Sequence, residues 1–331
     1  DCECILVETR LVHRLTGGSL VRQRGSYLLL LIPSLFSLTV FRSRLCLSMN
    51  QSVSRRRFLA LSSAAALGAT WFDVPRILQA ADDAFGGFPI GVQSYSLREF
   101  NFLEAVRHIQ GLGVHYTEFF GKHLAVTATA DEIASTLKVL SEAKIKLIAH
   151  GVNGFTKDHE ANRKVFAFAK QAGIRNLTAD PTPDSFDSLE KLVAEYDVRI
   201  AIHNHGPGHR YDKLEQVVQA VKGRHPLIGV CVDTGHVIRT KEDPIKWTRE
   251  LGPRVFAMHL KDDIKQDGGS QNVVIGKGNL DVVGVFKALK SVKFPADGDL
   301  SLEYEANPKN PVEEMRQCIA VAKEAIAKAV S

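Results

Sequence analysis

Three stretches of the chain end an apolar run in residues that could bind a metal ion or carry a proton. They read RIAIHNHG at 199–206, GVCVDTGH at 229–236 and RVFAMHLKDD at 254–263. An apolar run with β-branched residues that stops at polar residues is typical of a buried parallel strand. Because the parallel strands of a barrel end at one face, we expect the histidines and aspartates that close these runs to meet there.

A fourth run, LSLEYEAN at 300–307, ends in glutamates. Side chains alternate between the two faces of a strand. In the stretch RVFAMHLKDD this alternation predicts that Phe256 faces the helices. A single buried histidine is more often a hydrogen-bonded core or rim residue, so a metal site is indicated only by several donors together. The inward polar residues at the strand ends are the candidate metal ligands: His203, Asp233, His259 and Glu303, with His205 or Glu305 as substitutes if the register shifts by two residues.

Predicted strands and helices alternate without a break from residue 89 onward. The early strands include VHYTEFF, which ends near Glu118, and KIKLIAHG, which ends at His150. Eight strands, each followed by a helix, predict an α/β fold, a single-domain (β/α)8 TIM barrel that occupies 81–331. A doubly wound open sheet is the alternative fold, but no glycine-rich phosphate fingerprint follows the first strand.

The front of the chain has the layout of an export signal behind a leader. Met49 is the expected start, and SRRRFL at 54–59 matches the twin-arginine pattern, with an apolar run after it. We expect a non-native leader at 1–48, a twin-arginine signal peptide at 49–80 and a periplasmic or otherwise exported protein. The Tat translocase would then be a transient partner, and no stable membrane anchor is expected. An amphipathic helix that begins the fold is the alternative interpretation of 49–80.

The basic charge of the chain belongs to its first 80 residues. They hold 10 of the 42 Lys and Arg and 4 of the 37 Asp and Glu, which leaves 32 basic against 33 acidic residues in the rest. A near-neutral body argues against a nucleic-acid partner, which would require a basic face. Only Cys231 and Cys318 lie in that body, so no disulfide framework is indicated.

The body from about residue 89 to 329 resembles the xylose isomerase-like barrel superfamily of sugar isomerases and epimerases, which includes inosose dehydratases and endonuclease IV. The resemblance lies in DTGH at 233–236, HLKDD at 259–263 and LEYE at 302–305. It implies a divalent cofactor (Mn²⁺, Co²⁺, Mg²⁺ or Zn²⁺) held by the four candidate ligands above. One departure matters, because many epimerases have an acid/base glutamate where this chain has His203.

The expected chemistry is proton transfer next to a carbonyl that a metal polarises. The candidate catalytic residues are Glu303, Glu118 and His150. Substrate oxygens would be held by His236 and Lys261, with His205 and Glu305 nearby. For Lys261, a solvated ion pair with Asp262 at the rim is an equally supported interpretation. The glycine-rich stretch GGSQNVVIGKGNLD at 268–281 either covers the mouth or is a flexible connection, and its GKG is weak evidence for phosphate binding.

These observations favour a metal-dependent sugar isomerase or epimerase that acts on a small carbohydrate. Export argues for an unphosphorylated substrate. A lyase or dehydratase of a keto-sugar or inosose is the alternative enzyme, slightly favoured by His203, and a non-catalytic sugar-binding barrel is the alternative from another class. An endonuclease is disfavoured because HLKDD lacks the Asp-x-His pair of that group. A homo-oligomer is compatible with the sequence.

Overall fold

The computed structural model describes residues 83–331, in which eight parallel strands close into one barrel. Each strand pairs with the next along the chain, and the last pairs with the first. A helix follows every strand, so the predicted single-domain (β/α)8 TIM barrel is confirmed. The strands are β1 (Ile90–Gln93), β2 (Tyr116–Phe119), β3 (Lys146–Phe155), β4 (Asn176–Pro181), β5 (Arg199–His203), β6 (Ile228–Asp233), β7 (Val255–Leu260) and β8 (Asp299–Leu302).

The helices pack their apolar faces against the outside of the barrel. The first is capped by Asn101, whose side chain accepts a hydrogen bond from Glu104 N at 3.0 Å, while the Glu104 carboxylate accepts one from Asn101 N. This capping box satisfies two amide groups that the helix itself leaves unbonded. The helices are α1 (Phe102–Gly111), α2 (Ala130–Glu142), α3 (His159–Gln171), α4 (Phe186–Tyr196), α5 (Leu214–Val221), α6 (Thr234–Arg239), α7 (Pro244–Leu251), α8 (Val282–Ser291) and α9 (Val312–Val330).

A small separate core fills part of the barrel interior, and one of its members was predicted to face the helices. Phe256 packs with Ala201, Cys231 and Ala257. The prediction for Phe256 is wrong because the β6–β7 register shifts there: Val230 pairs with Val255, but Cys231 pairs with Ala257. Such a bulge interrupts the alternation of side chains. Gly229 makes room for the ring, since a Cβ there would lie 2.5 Å from it.

The DTGH stretch turns directly from strand to helix. Strand β6 ends at Asp233, and α6 begins at Thr234, whereas the sequence pattern carried the strand to residue 236. Asp233 Oδ1 accepts a hydrogen bond from His236 N at 2.8 Å, which caps the helix. The cap fixes the Asp233 carboxylate at the end of the barrel strand and turns its other oxygen toward the interior.

The glycine-rich stretch after β7 is tied down by one buried carboxylate. Asp262 accepts hydrogen bonds from four backbone amides of this stretch, at distances of 2.8–3.0 Å. These amides belong to Gly276, Gly278, Asn279 and Leu280. The GKG amides at 276 and 278 therefore bind an internal carboxylate, and a phosphate interpretation of this motif is not needed. A short antiparallel pair, Asp262–Asp263 with Asn272–Val273, completes the attachment.

Within residues 83–331, no helix is long and apolar enough to cross a membrane. The predicted leader at 1–48 and the predicted signal peptide at 49–80 lie outside the described residues.

Candidate metal centre

The four predicted ligands come together at the carboxyl ends of β5 to β8. Their donor atoms all lie within 4.8 Å of one another, and all four residues are buried. His259 Nδ1 is 3.1 Å from His203 Nε2 and 3.2 Å from Glu303 Oε2. Asp233 Oδ2 is 3.4 Å from His203 Nε2 and 3.9 Å from His259 Nδ1. We call these four residues the donor cluster.

The spacing of the donor cluster suits a divalent cation. Tetrahedral nitrogen or oxygen ligands at ~2.0–2.1 Å from a zinc ion lie ~3.3 Å from one another, close to the distances above. Asp233 Oδ2 is buried without a partner of hydrogen-bond geometry, although Lys261 Nζ is 3.0 Å away. Two imidazoles and two carboxylates are also a donor set that such metals prefer. The residues present therefore fit a divalent metal.

Glu118 lies behind the donor cluster and orients His259. Its Oε2 accepts a hydrogen bond from His259 Nε2 at 2.6 Å, and both side chains are fully buried. Burial would raise the pKa of Glu118, but the charge and hydrogen bond of His259 outweigh it and lower this pKa. Because Nε2 carries the proton that Glu118 accepts, Nδ1 is the His259 nitrogen that faces the cluster. Such a carboxylate–histidine pair is the usual support of a metal ligand.

His150, one of the three candidate catalytic residues, is not brought to the donor cluster. It pairs in register with Phe119, which faces the helix layer, and its ring packs against Phe168 at 5.0 Å between centroids. Its Nε2 hydrogen-bonds Leu124 O at 2.8 Å. The sequence located the strand end but not the face on which His150 would lie.

Asn204 supports Asp233, and the sequence reasoning missed it. Its Oδ1 accepts a hydrogen bond from Asp233 N at 2.8 Å, and its Nδ2 donates to Asp233 O at 3.1 Å. Asn204 is fully buried directly after β5. The sequence does place Asn204 next to the predicted ligand His203, and a side-chain amide at that position can hydrogen-bond the backbone at the end of a neighbouring strand.

Lys261 is part of the site and not of the rim. Only 2% of its side chain is exposed, and its Nζ lies 3.0 Å from Asp233 Oδ2, 2.6 Å from Glu303 Oε2 and 2.5 Å from Glu305 Oε1. The interpretation as a solvated pair with Asp262 is therefore wrong. Burial opposes the charge of Lys261, but the three carboxyl groups outweigh burial and raise its pKa well above the ordinary value. In turn Lys261 and His259 hold the pKa of Glu303 below its ordinary value against the effect of burial.

His236 presents a hydrogen-bond donor toward the cluster. Arg239 Nη1 lies 3.3 Å from His236 Nδ1, and since a guanidinium only donates, Nδ1 accepts. Burial lowers the pKa of His236 to about 3, so the neutral ring carries its proton on Nε2, 4.0 Å from Asp233 Oδ2. His205 lies beside His203, with ring centroids 4.7 Å apart, and burial lowers its pKa to about 4. Both rings are neutral at pH 7.

A cavity of about 390 Å³ opens above the donor cluster, and we call it the inner cavity. His203 and Glu303 form part of its lining, together with the predicted substrate-binding residues His205, His236, Lys261 and Glu305. Two aromatic rings that the sequence reasoning missed, Tyr95 and Phe120, line its other side and contact each other edge to face at 5.3 Å. The volume lies in the range of small-molecule sites, ~300–1,000 Å³.

Comparison with known proteins agrees with the architecture. Inosose dehydratases from Clostridium botulinum and Clostridium tetani are 27% and 30% identical to this chain over 124 and 145 residues. These matches cover 36% and 38% of this chain and 38% and 48% of the relatives, so the chain spans less than half the length of the curated relatives that it matches.

Solved structures match over a longer span. A protein from Parabacteroides distasonis is 31% identical, with a TM-score of 0.58, over 72% of this chain and 99% of that chain. An L-ribulose 3-epimerase, 17% identical with a TM-score of 0.52 over 72% of this chain and 92% of its own, shares the fold. The family model described as xylose isomerase-like TIM barrel matches residues 106–325. The chain therefore belongs to the xylose isomerase-like TIM barrel family.

Proposed function

We propose that this protein is a metal-dependent carbohydrate isomerase or epimerase, which removes the proton next to a sugar carbonyl. One observation carries the proposal: four donor side chains converge beneath a cavity that two of them line, at the end of the barrel where such enzymes place their sites. A divalent cation bound there would polarise the carbonyl and acidify the adjacent C–H.

The chain supplies the groups that such a proton transfer requires. Glu303 belongs to both the donor cluster and the cavity lining, so its carboxylate would accept the substrate proton. Lys261 Nζ, 2.6 Å from Glu303 Oε2, would stabilise negative charge that develops on a substrate oxygen. His236 would donate from Nε2 to a neighbouring oxygen. Glu118 and His150 take no direct part in this scheme, because neither lines the cavity.

The cavity also suits the body of a sugar. Tyr95 and Phe120 offer apolar faces to its C–H groups, while the histidines and carboxyl groups opposite offer donors and acceptors to its hydroxyls. We further propose that the substrate is unphosphorylated and that the protein acts outside the cytoplasm after Tat export. The support for that location is the SRRRFL motif at 54–59.

A lyase or dehydratase of a keto-sugar or inosose is the second candidate. It shares the removal of the proton but then expels a β-substituent. Two observations favour it: the curated sequence relatives are inosose dehydratases, and β5 carries His203 where many epimerases have a glutamate. Without that second carboxylate, proton delivery to the opposite face of the intermediate has to come from another group.

The test combines metal analysis with isotope exchange. Protein expressed from Met49 is expected to bind one divalent ion per chain, and ketoses or inososes incubated with it in D₂O are expected to gain deuterium at the carbon next to the carbonyl. Deuterium gain with unchanged composition supports an isomerase or epimerase, and loss of water or of an aglycone supports the lyase. Sugar binding without exchange or turnover indicates a non-catalytic barrel. Absence of any bound metal would overturn the proposal.

A further inference from the structure

A second cavity, of about 420 Å³ and with a mostly polar lining, adjoins the inner cavity, and we call it the outer cavity. Glu305 lines both, and its Oε1 is held 2.5 Å from Lys261 Nζ at the boundary. The remaining lining includes Arg239 and Asp263, which come from α6 and the end of the β7 segment. No step of the proposed proton transfer uses this space.

Two residues of the outer cavity's lining each hold a buried polar atom without a partner of hydrogen-bond geometry. Asp263 is 1% exposed, and while its Oδ2 accepts from Asn272 Nδ2 at 3.3 Å, its Oδ1 has no partner of hydrogen-bond geometry, although the Ser270 hydroxyl lies nearby. Arg239 donates to Gly268 O at 3.3 Å, yet its Nε is buried and unbonded. Buried polar groups normally have a partner. Both atoms are shielded from solvent, so a ligand in the cavity would meet the outer nitrogens of Arg239 and the other polar groups of the lining.

The charges around the outer cavity favour neutral hydroxyls over phosphate. A single guanidinium, Arg239, stands against two carboxyl groups, Asp263 and Glu305, which would repel an anion. Lys261 is no substitute, because it lines the inner cavity and not the outer one. Sugar hydroxyls can donate to the carboxylates and accept from the guanidinium and from the Gln271 amide.

We propose that the outer cavity is a subsite for a second sugar unit, so that the substrate is a glycosylated sugar and not a free or phosphorylated monosaccharide. This inference rests on the proposed function, which places the reacting unit in the inner cavity. The link between the two units would pass Glu305, the residue that lines both spaces.

Binding of matched ketoses to the metal-loaded full chain tests the subsite. D-Fructose is compared with lactulose, its 4-O-galactosyl form, and with fructose 1-phosphate, by calorimetry. Two or three additional hydrogen bonds should tighten lactulose binding about tenfold over fructose. Gln271→Trp, at an exposed position of the cavity wall, should remove that advantage and leave fructose binding within about twofold of the wild type.

Two further variants control for folding and for added bulk. Gln271→Ala removes a polar group without adding volume and should weaken lactulose binding about threefold. Lys287→Trp, exposed on α8 and away from both cavities, should leave both affinities unchanged.

The outcomes separate this inference from the proposed function. Equal binding of fructose and lactulose, or tighter binding of fructose 1-phosphate, overturns the subsite. Deuterium exchange into fructose would then still uphold the proposed function. Lactulose preference without exchange supports the subsite and overturns the enzyme proposal. If no ketose binds, both are overturned.

Discussion

The hydrogen bond between Glu118 and His259 offers a direct test of how the barrel would hold a metal. Glu118→Gln keeps the shape of the side chain, and its amide oxygen can still accept from His259 Nε2. The substitution removes a negative charge 2.6 Å from that nitrogen. Because the carboxylate raises the basicity of the ring, His259 Nδ1 becomes a weaker donor when the charge is lost.

Loss of such a supporting carboxylate weakens metal binding 10–100-fold in other proteins, about 1.4–2.7 kcal/mol. We expect the same range here, because Glu118 and His259 are fully buried and water cannot replace the charge. Thr178 Oγ1, which donates to Glu118, can rotate its hydroxyl to accept from the new amide, so the fold should be retained.

The assay is competition for Zn²⁺ or Mn²⁺ with a chelator of known affinity, supported by the metal-induced rise in melting temperature. Glu324→Gln, exposed on α9, is the matched control and should bind as the wild type does. Wild-type affinity in Glu118→Gln, with its fold intact by circular dichroism, would show that Glu118 does not tune His259 and would refute this reasoning.

Three further predictions follow from the same contacts. His259→Ala should lower metal affinity at least 100-fold, because it removes a central donor of the cluster. Metal content after dialysis measures this, and a variant that keeps all of its metal would exclude the donor cluster. Lys261→Met should destabilise the metal-free protein by about 3–5 kcal/mol, because three carboxyl groups lose the ammonium that balances them. The metal-induced rise in melting temperature should therefore be larger than in the wild type, and an unchanged rise would contradict this. Burial and the adjacent Glu118 raise the pKa of Asp299 well above its ordinary value, so the folded state keeps a proton that the unfolded state releases above about pH 4. Asp299→Asn should therefore gain stability over the wild type as pH rises from 4, by up to about 1.4 kcal/mol per pH unit, in urea unfolding; a difference independent of pH would be the contrary result.

The barrel and the donor cluster were both predictable from apolar runs and strand ends. A parallel barrel collects the carboxyl ends of its strands at one face, so the four ligands on β5 to β8 had to lie near one another once the strands were recognised. The choice among polar residues did depend on register, which is why His205 and Glu305 stood as substitutes for a shift of two residues.

Details that depend on register could not be predicted in the same way. Phe256 faces the interior because the register shifts between β6 and β7, and His150 faces the helices because it pairs with Phe119. Glu118 lies one residue from Phe119 on the other face of the same strand, so it is buried beneath His259. A strand end read from one sequence gives no register, and the register decides which polar residue enters the site.

Lys261 shows how the charge of such a site is balanced before any substrate arrives. An isolated group of carboxylates in a barrel interior would be strongly destabilising, and one ammonium among three of them reduces that cost. Three carboxyl groups around one ammonium leave a net negative charge, which a divalent cation among the four donors would balance. Since Lys261 also lines the inner cavity, the residue that stabilises the fold is the one placed to meet negative charge on a substrate oxygen. The stability of the barrel and the proposed chemistry therefore depend on the same buried charge.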